Sequence, residues 1–236
     1  MKYDVVYFVK ETQNNEELVY SLRSVEKNFP YGKIWFYGGC PSNLTPDYHV
    51  HERQISATKY SNVANMLHSA CSNPDISDNF WLFNDDFFVM QKLTKEDVDL
   101  LSKGIHNDCL YKQIIRSEDS TKCVNGYSRK LRRTANKLEE LKKTHRNYEM
   151  HIPILINKKK MLKILDEHNT QYCSRSMYGN LYLKENIDLP DVKIFSITFA
   201  PHYEPMLLST SDDSFRIGRV GKYIRDRFKN KSKWEK

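Results

Sequence analysis

Two adjacent aspartates after an aromatic run are the residues of this chain whose types and spacing best suit chemistry. Residues 80–83 are apolar, Asn84, Asp85 and Asp86 follow, and apolar residues resume at 87–89. Such a run is typical of a buried strand, and a desolvated carboxylate at its end needs a partner charge or a metal ion. Carboxylate oxygens suit Mg²⁺ or Mn²⁺, with a substrate phosphate supplying further oxygens. We therefore predict a metal site here; the alternative is a capping aspartate beside a solvated one.

The elements that must position this pair alternate between strand and helix. Residues 5–9 predict a strand buried on both faces, and a helix begins after Asn14 or Asn15 and ends at Pro30. Residues 34–37 predict a second strand, which makes a βαβ unit and a parallel sheet. Ligands of such sheets bind beyond the carboxyl ends of the strands, where the acidic pair falls.

The rest of the chain is predicted to be richer in helix, with no clear periodicity between the helix that begins at Thr94 and Gly126. The further predicted elements are a strand at 48–50, a helix with Val63, Met66, Leu67 and Ala70 on its apolar face, the strand at 80–83, the Thr94 helix, a basic helix at 127–148 with Leu131, Ala135, Leu138 and Leu141 as its stripe, a helix at 157–168, a strand at 192–199 and a basic helix at 220–228. We expect one α/β domain over 1–236, with an α/β half at 1–93 and a helix-rich half at 94–236.

Composition favours a compact cytoplasmic protein. The 236 residues are 39% apolar, enough for a full core, and no segment approaches the ~20 apolar residues of a membrane span. No signal-like segment opens the chain, so we expect a soluble, unexported protein. The cysteines are odd in number and form no CxxC pair, which indicates reduced thiols rather than a zinc site or disulfides. They are Cys40, Cys71, Cys109, Cys123 and Cys173.

The net charge of +7 is unevenly distributed. Residues 127–148 carry +6 and residues 216–236 carry +7, so the remainder carries −6. Arg129, Arg132 and Arg133 could attract an anionic acceptor such as a glycan, a phosphorylated compound or DNA; the alternative is a solvated helix face. A different class of function, a non-enzymatic nucleic-acid-binding protein with a structural acidic pair, stays open at this point.

Two blocks of the sequence resemble the Stealth family, the sugar-phosphate transferases of capsule synthesis with their animal relative, N-acetylglucosamine-1-phosphotransferase. The blocks are the helix at 15–27 with the strand at 34–37, and the Phe-Asn-Asp-Asp-Phe-Phe segment at 83–88, in the family's order and distance. Residues 4–7 look like the family's first block, although residues 8–11 depart from its continuation. His151-Ile-Pro resembles a third block, and Arg175-Ser the Arg-Ser that follows it. The resemblance covers about residues 3–176, densely only in the two early blocks.

The resemblance implies a type-A glycosyltransferase fold, in which residues 1–93 bind a nucleotide-sugar and a metal ion while residues 94–236 face the acceptor. The chain is similar to small stand-alone transferases of bacterial and phage genomes. By this resemblance Asp85 and Asp86 are metal and ribose-diphosphate ligands, and Asn84 shapes the turn. Arg175 is a further candidate for donor binding.

Each of the other candidates has both a functional and a structural interpretation. Arg23 would clamp a phosphate, or pair with Glu17 or an active-site carboxylate, or form an ordinary helix ion pair. Asp4 would meet the base or ribose at the end of the first strand, or be a charge at the chain's edge. His151 would serve as metal ligand, phosphate donor or general base, or be structural.

Two later segments add candidates. His202 is a second histidine for the metal. Asp212 and Asp213 form another carboxylate pair, which would close over the donor or act as the acceptor's base, or else cap the helix at 220–228.

Taken together, these residues predict a metal-dependent glycosyltransferase that moves a sugar from a nucleotide-sugar donor to a hydroxyl acceptor, with Mn²⁺ or Mg²⁺ stabilising the leaving diphosphate. The alternative is transfer of hexose-1-phosphate, in which the same cation would polarise the phosphoryl group.

Overall fold

A computed structural model describes residues 2–56, 58–122, 124–168, 171–184 and 187–236. Helices flank a central sheet, and smaller sheets lie beside it. In chain order the elements are β1 (Tyr3–Val9), α1 (Glu16–Asn28), β2 (Tyr31–Gly38), β3 (Tyr48–Val50), α2 (Lys59–Ser72), β4 (Asn79–Phe83), β5 (Phe87–Val89), α3 (Lys95–Lys103), β6 (Ile105–His106), α4 (Leu110–Thr121), α5 (Gly126–Glu140), β7 (Ile154–Asn157), α6 (Lys158–His168), α7 (Ser174–Tyr182), β8 (Ile187–Asp188), β9 (Lys193–Ile194), β10 (Leu207–Thr210), α8 (Asp212–Arg216) and α9 (Arg219–Arg227).

The central sheet has the strand order β3-β2-β1-β4-β7. β1 is parallel to β2 and β4, β2 is parallel to β3, and β7 is antiparallel to β4. The predicted mostly parallel, mixed sheet with flanking helices is therefore confirmed. The carboxyl ends of β1, β2, β3 and β4 share one edge, so the turn after β4 lies where ligands of such sheets bind.

The sheet is buried on both faces, which explains the continuous apolar runs of its strands. In β1, Val6 packs into a core with Leu67 of α2 and Met161 of α6. Its neighbour Tyr7 packs on the opposite face with Leu22 of α1. Alternate residues of a strand point to opposite faces, so both sets must be apolar.

A second sheet, β5-β10-β9, holds the far side of the acidic turn. Three residues separate the end of β4 from the start of β5. β10 pairs with β5 in antiparallel register, with Ser209 opposite Phe87. β9 is parallel to β10, with Lys193 opposite Ser209. This pairing carries Lys193 and Ser209 from the C-terminal third of the chain to the end of β4.

Helix α1 of the βαβ unit is capped as its sequence predicts. The Asn15 side chain accepts a hydrogen bond from the Leu18 amide at 3.0 Å, and the chain leaves the helix at Phe29, before Pro30. Because Asn15 lies at the N-terminus of α1, its side chain faces the carboxyl edge of the sheet.

Several predicted bounds are wrong. The strand predicted at 192–199 is reduced to β9, since Phe195 and Phe199 are exposed. The basic helix ends at Glu140 rather than at residue 148, and Val63 of α2 is exposed. Helices α4 and α7 were not predicted; each follows a cysteine that makes no side-chain cap hydrogen bond, so neither carries the usual start signal.

Four of the cysteines, Cys40, Cys71, Cys109 and Cys173, are free thiols, and Cys123 lies outside the described residues. Across the described ranges, every helix is too short or too polar to cross a membrane.

The C-terminal tail is fastened to α1. Arg23 donates two hydrogen bonds to the Glu235 carboxylate, at 2.7 and 2.6 Å, and a third to the Phe228 carbonyl at 2.9 Å. Trp234 is buried beside this pair, and its ring packs on Tyr31. The Arg23 and Glu235 side chains are only 12% and 6% exposed, so the ion pair is part of the packed structure.

We expect Arg23→Ala to lower the free energy of unfolding by about 3 kcal/mol, because it leaves the Glu235 carboxylate without its counter-charge in a desolvated position. Lys222→Ala is the matched control, since Lys222 pairs with Asp226 on the exposed surface, where a pair contributes under about 1 kcal/mol. Urea unfolding measures both. Equal losses in the two variants would contradict a structural role for the Arg23 pair.

Candidate active site

The acidic pair is presented by a tight turn between β4 and β5. The Phe87 amide donates to the Asn84 carbonyl at 3.3 Å, which closes the turn around Asp85 and Asp86. A role of the Asn84 side chain in shaping this turn stays a prediction. The flanking residues Phe83 and Phe87 are buried, so the turn is fixed at both ends.

Asp85 is held at the N-terminus of α1. The Asn15 side chain that caps this helix through its oxygen also donates, through Nδ2, to Asp85 Oδ2 at 2.6 Å. Burial raises the pKa of Asp85, and the charges of Asp86 and Asp212 raise it further, while the Asn15 hydrogen bond opposes the shift. Asp85 is therefore a carboxylate whose ionised form lacks compensating charge.

Asp86 is only half satisfied. Lys193 Nζ lies 2.8 Å from Asp86 Oδ2, and Ser209 Oγ donates to the same oxygen at 3.1 Å. The other oxygen, Oδ1, is buried and has no hydrogen-bond partner in the part of the chain that the structure describes. A buried carboxylate oxygen without a donor is costly, so this atom is available to a cation.

Glu17 is a third carboxylate beside the pair. Thr210 Oγ1 donates to Glu17 Oε1 at 2.7 Å. Burial, with the charges of Asp85, Asp86 and Asp212, raises the pKa of Glu17 to about 7 despite that hydrogen bond. Sequence reasoning treated Glu17 only as a partner for Arg23; its place in the first turn of a helix facing the carboxyl edge was the available signal.

The structure separates Asp212 from Asp213. Both lie in the first turn of α8, which is capped by Ser211. Asp212 is near enough to raise the pKa values of Glu17 and Asp85. Asp213 is exposed and pairs with Arg216 at 3.2 Å. The prediction that the two aspartates cap the helix at 220–228 is wrong, because they form the first turn of α8 and Gly218 is the N-cap of α9. A catalytic role for either stays a prediction.

His151 forms a pair with Asp191. His151 Nδ1 lies 2.7 Å from Asp191 Oδ2, and the His151 amide donates to Asp191 Oδ1 at 3.2 Å. Burial opposes ionisation of Asp191, but its bonds to His151 outweigh this and lower its pKa. The second ring nitrogen, Nε2, has no hydrogen-bond partner among the described residues, so an imidazole oriented by a carboxylate is available to a substrate.

Arg175 lies between this pair and the acidic turn. Arg175 is the second residue of α7 and donates to the Ile152 carbonyl, and its guanidinium lies 5.9 Å from the centre of the Phe87 ring. Burial lowers its pKa, while the carboxylates of Glu149, Asp191 and Asp86 act in the opposite direction. The arginine thus supplies positive charge near Asp86, as a donor-binding residue would.

Two predicted donor contacts are wrong. Asp4 pairs with Phe80 at the amino end of the strands, so it lies at least about 10 Å along the sheet from the end of β4. The Asp4 carboxylate accepts hydrogen bonds from the Lys33 and Ser77 amides, at the edge of the sheet opposite the acidic turn. Arg23 is committed to Glu235 and does not pair with Glu17 or with the acidic turn.

His202 and the basic helix α5 do not belong to the group of carboxylates at the acidic turn. His202 is exposed and its ring packs edge-on against Phe199. On α5, Arg129 and Arg133 are exposed, and Arg132 forms a two-pronged ion pair with Glu118. A metal role for His202 and an anion role for the arginines stay predictions.

A divalent cation would find its ligands at the acidic turn. Asp86 offers the buried unpartnered oxygen, and Asp85 is the adjacent carboxylate. Across the described residues no three His, Cys, Asp or Glu side chains converge as a metal site. Mg²⁺ usually takes one or two carboxylates and completes its shell with water and substrate phosphates, so the turn fits such an ion.

Comparisons with solved structures find several likenesses, among them two glycosyltransferases. The galactosyltransferase LgtC, solved with donor and acceptor sugar analogues, aligns at 13% identity with a TM-score of 0.49, over 97% of this chain and 96% of that one. The glycosyltransferase GlyE of Streptococcus pneumoniae TIGR4 aligns at 10% identity and a TM-score of 0.45, over 96% of this chain and 60% of that one. No protein-family model and no curated protein matches the sequence. The Stealth resemblance stays a prediction.

The raised pKa of Glu17 predicts a pH-dependent stability. Between the ordinary pKa of 4.5 and about 7 the unfolded chain releases this proton while the folded chain retains it. The contribution of Glu17 to the unfolding free energy therefore falls by up to about 3 kcal/mol as the pH rises through this window. We expect Glu17→Gln to match the wild type near pH 4 and to be more stable at pH 8.

Urea unfolding with a chelator present measures this difference. Glu16→Gln is the control, because Glu16 lies beside Glu17 in the same helical turn but is exposed. A Glu17→Gln variant with the same pH profile as the wild type would show that Glu17 is not crowded by the aspartates.

Proposed function

We propose that this chain is a metal-dependent glycosyltransferase that moves a sugar from a nucleotide-sugar to a hydroxyl group of an acceptor. The observation that carries the proposal is the buried, unpartnered Oδ1 of Asp86 in a turn that also holds Asp85 and faces Glu17. Such a surplus of carboxylate at the carboxyl edge of parallel strands supports binding of a cation together with a phosphorylated ligand.

Asp86 and Asp85 would hold the ion, Mn²⁺ or Mg²⁺, and the ion would neutralise charge that develops on the diphosphate as the bond to the sugar breaks. Lys193 has a separate part. Its ammonium group orients the Asp86 carboxylate, and it supplies a positive charge at the same end of the site. Arg175 adds a second cation on the side of Phe87. Together they favour an anionic donor over a neutral one.

His151 is the proposed general base. As the acceptor oxygen bonds to the sugar's anomeric carbon, its proton passes to His151 Nε2, and the bond from that carbon to the diphosphate breaks. Asp191 holds the ring through Nδ1 and stabilises the imidazolium that forms. The acceptor therefore approaches from the side of Asp191, and the donor from the side of Asp86.

The test is a panel of nucleotide-sugars with and without Mn²⁺, followed by thermal unfolding and by hydrolysis of the donor. At about 100 times its dissociation constant, a bound donor stabilises by about 2.7 kcal/mol, which is a rise of roughly 5–10 °C for a chain of this size. We expect a Mn²⁺-dependent rise for at least one donor, and we expect Asp86→Asn to abolish both the rise and the hydrolysis.

Asp166→Asn is the matched control, an exposed aspartate on α6. It should leave both readouts unchanged. A release of nucleoside monophosphate rather than diphosphate would establish transfer of sugar-1-phosphate by the same site. No response to any donor, or a response that survives in Asp86→Asn, would overturn the proposal.

For the base, we expect His151→Gln to lower kcat by about 10²–10³-fold because the acceptor hydroxyl keeps its proton. Donor affinity should change little. His68→Gln is a close control, since His68 also lies beside an aspartate, with Nε2 3.2 Å from Asp166, but on the exposed surface. Steady-state kinetics with the donor found above provides the measurement, and equal effects of the two variants would remove His151 from the reaction.

A further inference from the structure

A cavity of about 380 Å³ opens beside the acidic turn. Its walls come from β6, the segment before β7, β9 with the segment before it, the loop before β10 and the start of β10, with side chains such as Met150, Leu189, Phe199, Tyr203 and Met206. Among the described residues that line it, only Asp191 and Lys193 carry charge. A small-molecule site typically has this size and this balance of an apolar wall with a few polar groups.

The two charged residues join the cavity to the candidate active site. Asp191 holds the ring of His151, and Lys193 holds the carboxylate of Asp86. Through these two side chains the cavity adjoins the proposed base and the proposed metal site, although neither His151 nor Asp86 lines it. A ligand that fills it can place a hydroxyl group beside Asp191.

Two aromatic side chains of the cavity remain open to water. Phe199 is 44% exposed and Tyr203 is 73% exposed, although each also lines the cavity wall. Exposed aromatic surface of this kind marks a ligand groove or an interaction site. Since aromatic rings pack well on other rings and on the sulfur of methionine, such as Met150 and Met206, the wall is suited to an aromatic group.

The diphosphate of the donor does not suit this wall, because phosphate needs cationic and polar partners and Lys193 is the one cation among the described residues that line the cavity. We infer that the cavity binds an aromatic group carried by the acceptor, so that the acceptor is a hydroxyl compound with a ring attached, such as an aryl glycoside. The inference rests on the proposed function for its assignment to the acceptor, but binding of the aromatic group depends only on the cavity.

The test compares phenyl and methyl glycosides of glucose, galactose and N-acetylglucosamine in calorimetric binding to the whole chain, without donor. Burial of the ring should make at least one phenyl glycoside bind about ten-fold tighter than its methyl counterpart. Equal affinity across every pair would overturn the inference.

Phe199→Ala and Tyr203→Ala should each remove most of this preference for the phenyl glycoside. Both side chains are exposed, so we expect both variants to fold. Thermal unfolding checks this. Ile197→Ala is the matched control, because Ile197 is exposed on the same segment but does not line the cavity. A preference that persists in both aromatic variants, or one lost equally in Ile197→Ala, would contradict binding in the cavity.

The two proposals fail separately. Donor hydrolysis that depends on Asp86, without a phenyl preference, would leave the transferase standing and remove the aromatic acceptor. A phenyl preference that Phe199→Ala abolishes, in a chain that hydrolyses no nucleotide-sugar, would keep the cavity as an aromatic ligand site and remove the transferase.

Discussion

The accommodation of negative charge after β4 is the constraint around which the described structure is organised. Asp85 and Asp86 must follow a strand with both faces buried, and Glu17 faces them from α1. Donors reach these carboxylates from three directions. Asn15, the cap of α1, donates a hydrogen bond to Asp85. Lys193 of β9 and Ser209 of β10 donate to Asp86, and Thr210 of β10 donates to Glu17. The second sheet is thus the part of the fold that makes the acidic turn tolerable.

This compensation is incomplete, and the shortfall is what separates a site from an ordinary buried ion pair. A structural pair would satisfy every oxygen, because an unsatisfied buried acceptor destabilises the fold. Here one oxygen of Asp86 has no donor among the described residues, and burial together with the neighbouring carboxylates raises the pKa values of Glu17 and Asp85. Stability given up at one turn is typical of a functional site, where a ligand supplies the missing charge.

How much of this could be predicted from the sequence follows from the range of each interaction. The βαβ opening and the Asn15 cap depend on neighbouring residues, and the sequence predicts both. Lys193 and Ser209 lie more than 100 residues from Asp86 in sequence, so no local pattern pairs them. Arg23 shows the same limit, because its role is set by Glu235, near the far end of the chain.

The charges of the described site also impose an order on the proposed reaction. When Asp85, Asp86 and Glu17 are all ionised, their carboxylates outnumber the ammonium of Lys193 and the guanidinium of Arg175, and a diphosphate would be repelled. In the proposed reaction a divalent ion on Asp86 would reverse that balance, so donor affinity would depend on the ion. Asp191 lies apart from this balance, because its charge is committed to His151. The proposed acceptor side, at the cavity, can therefore be apolar, while the proposed donor side, at the acidic turn, is charged.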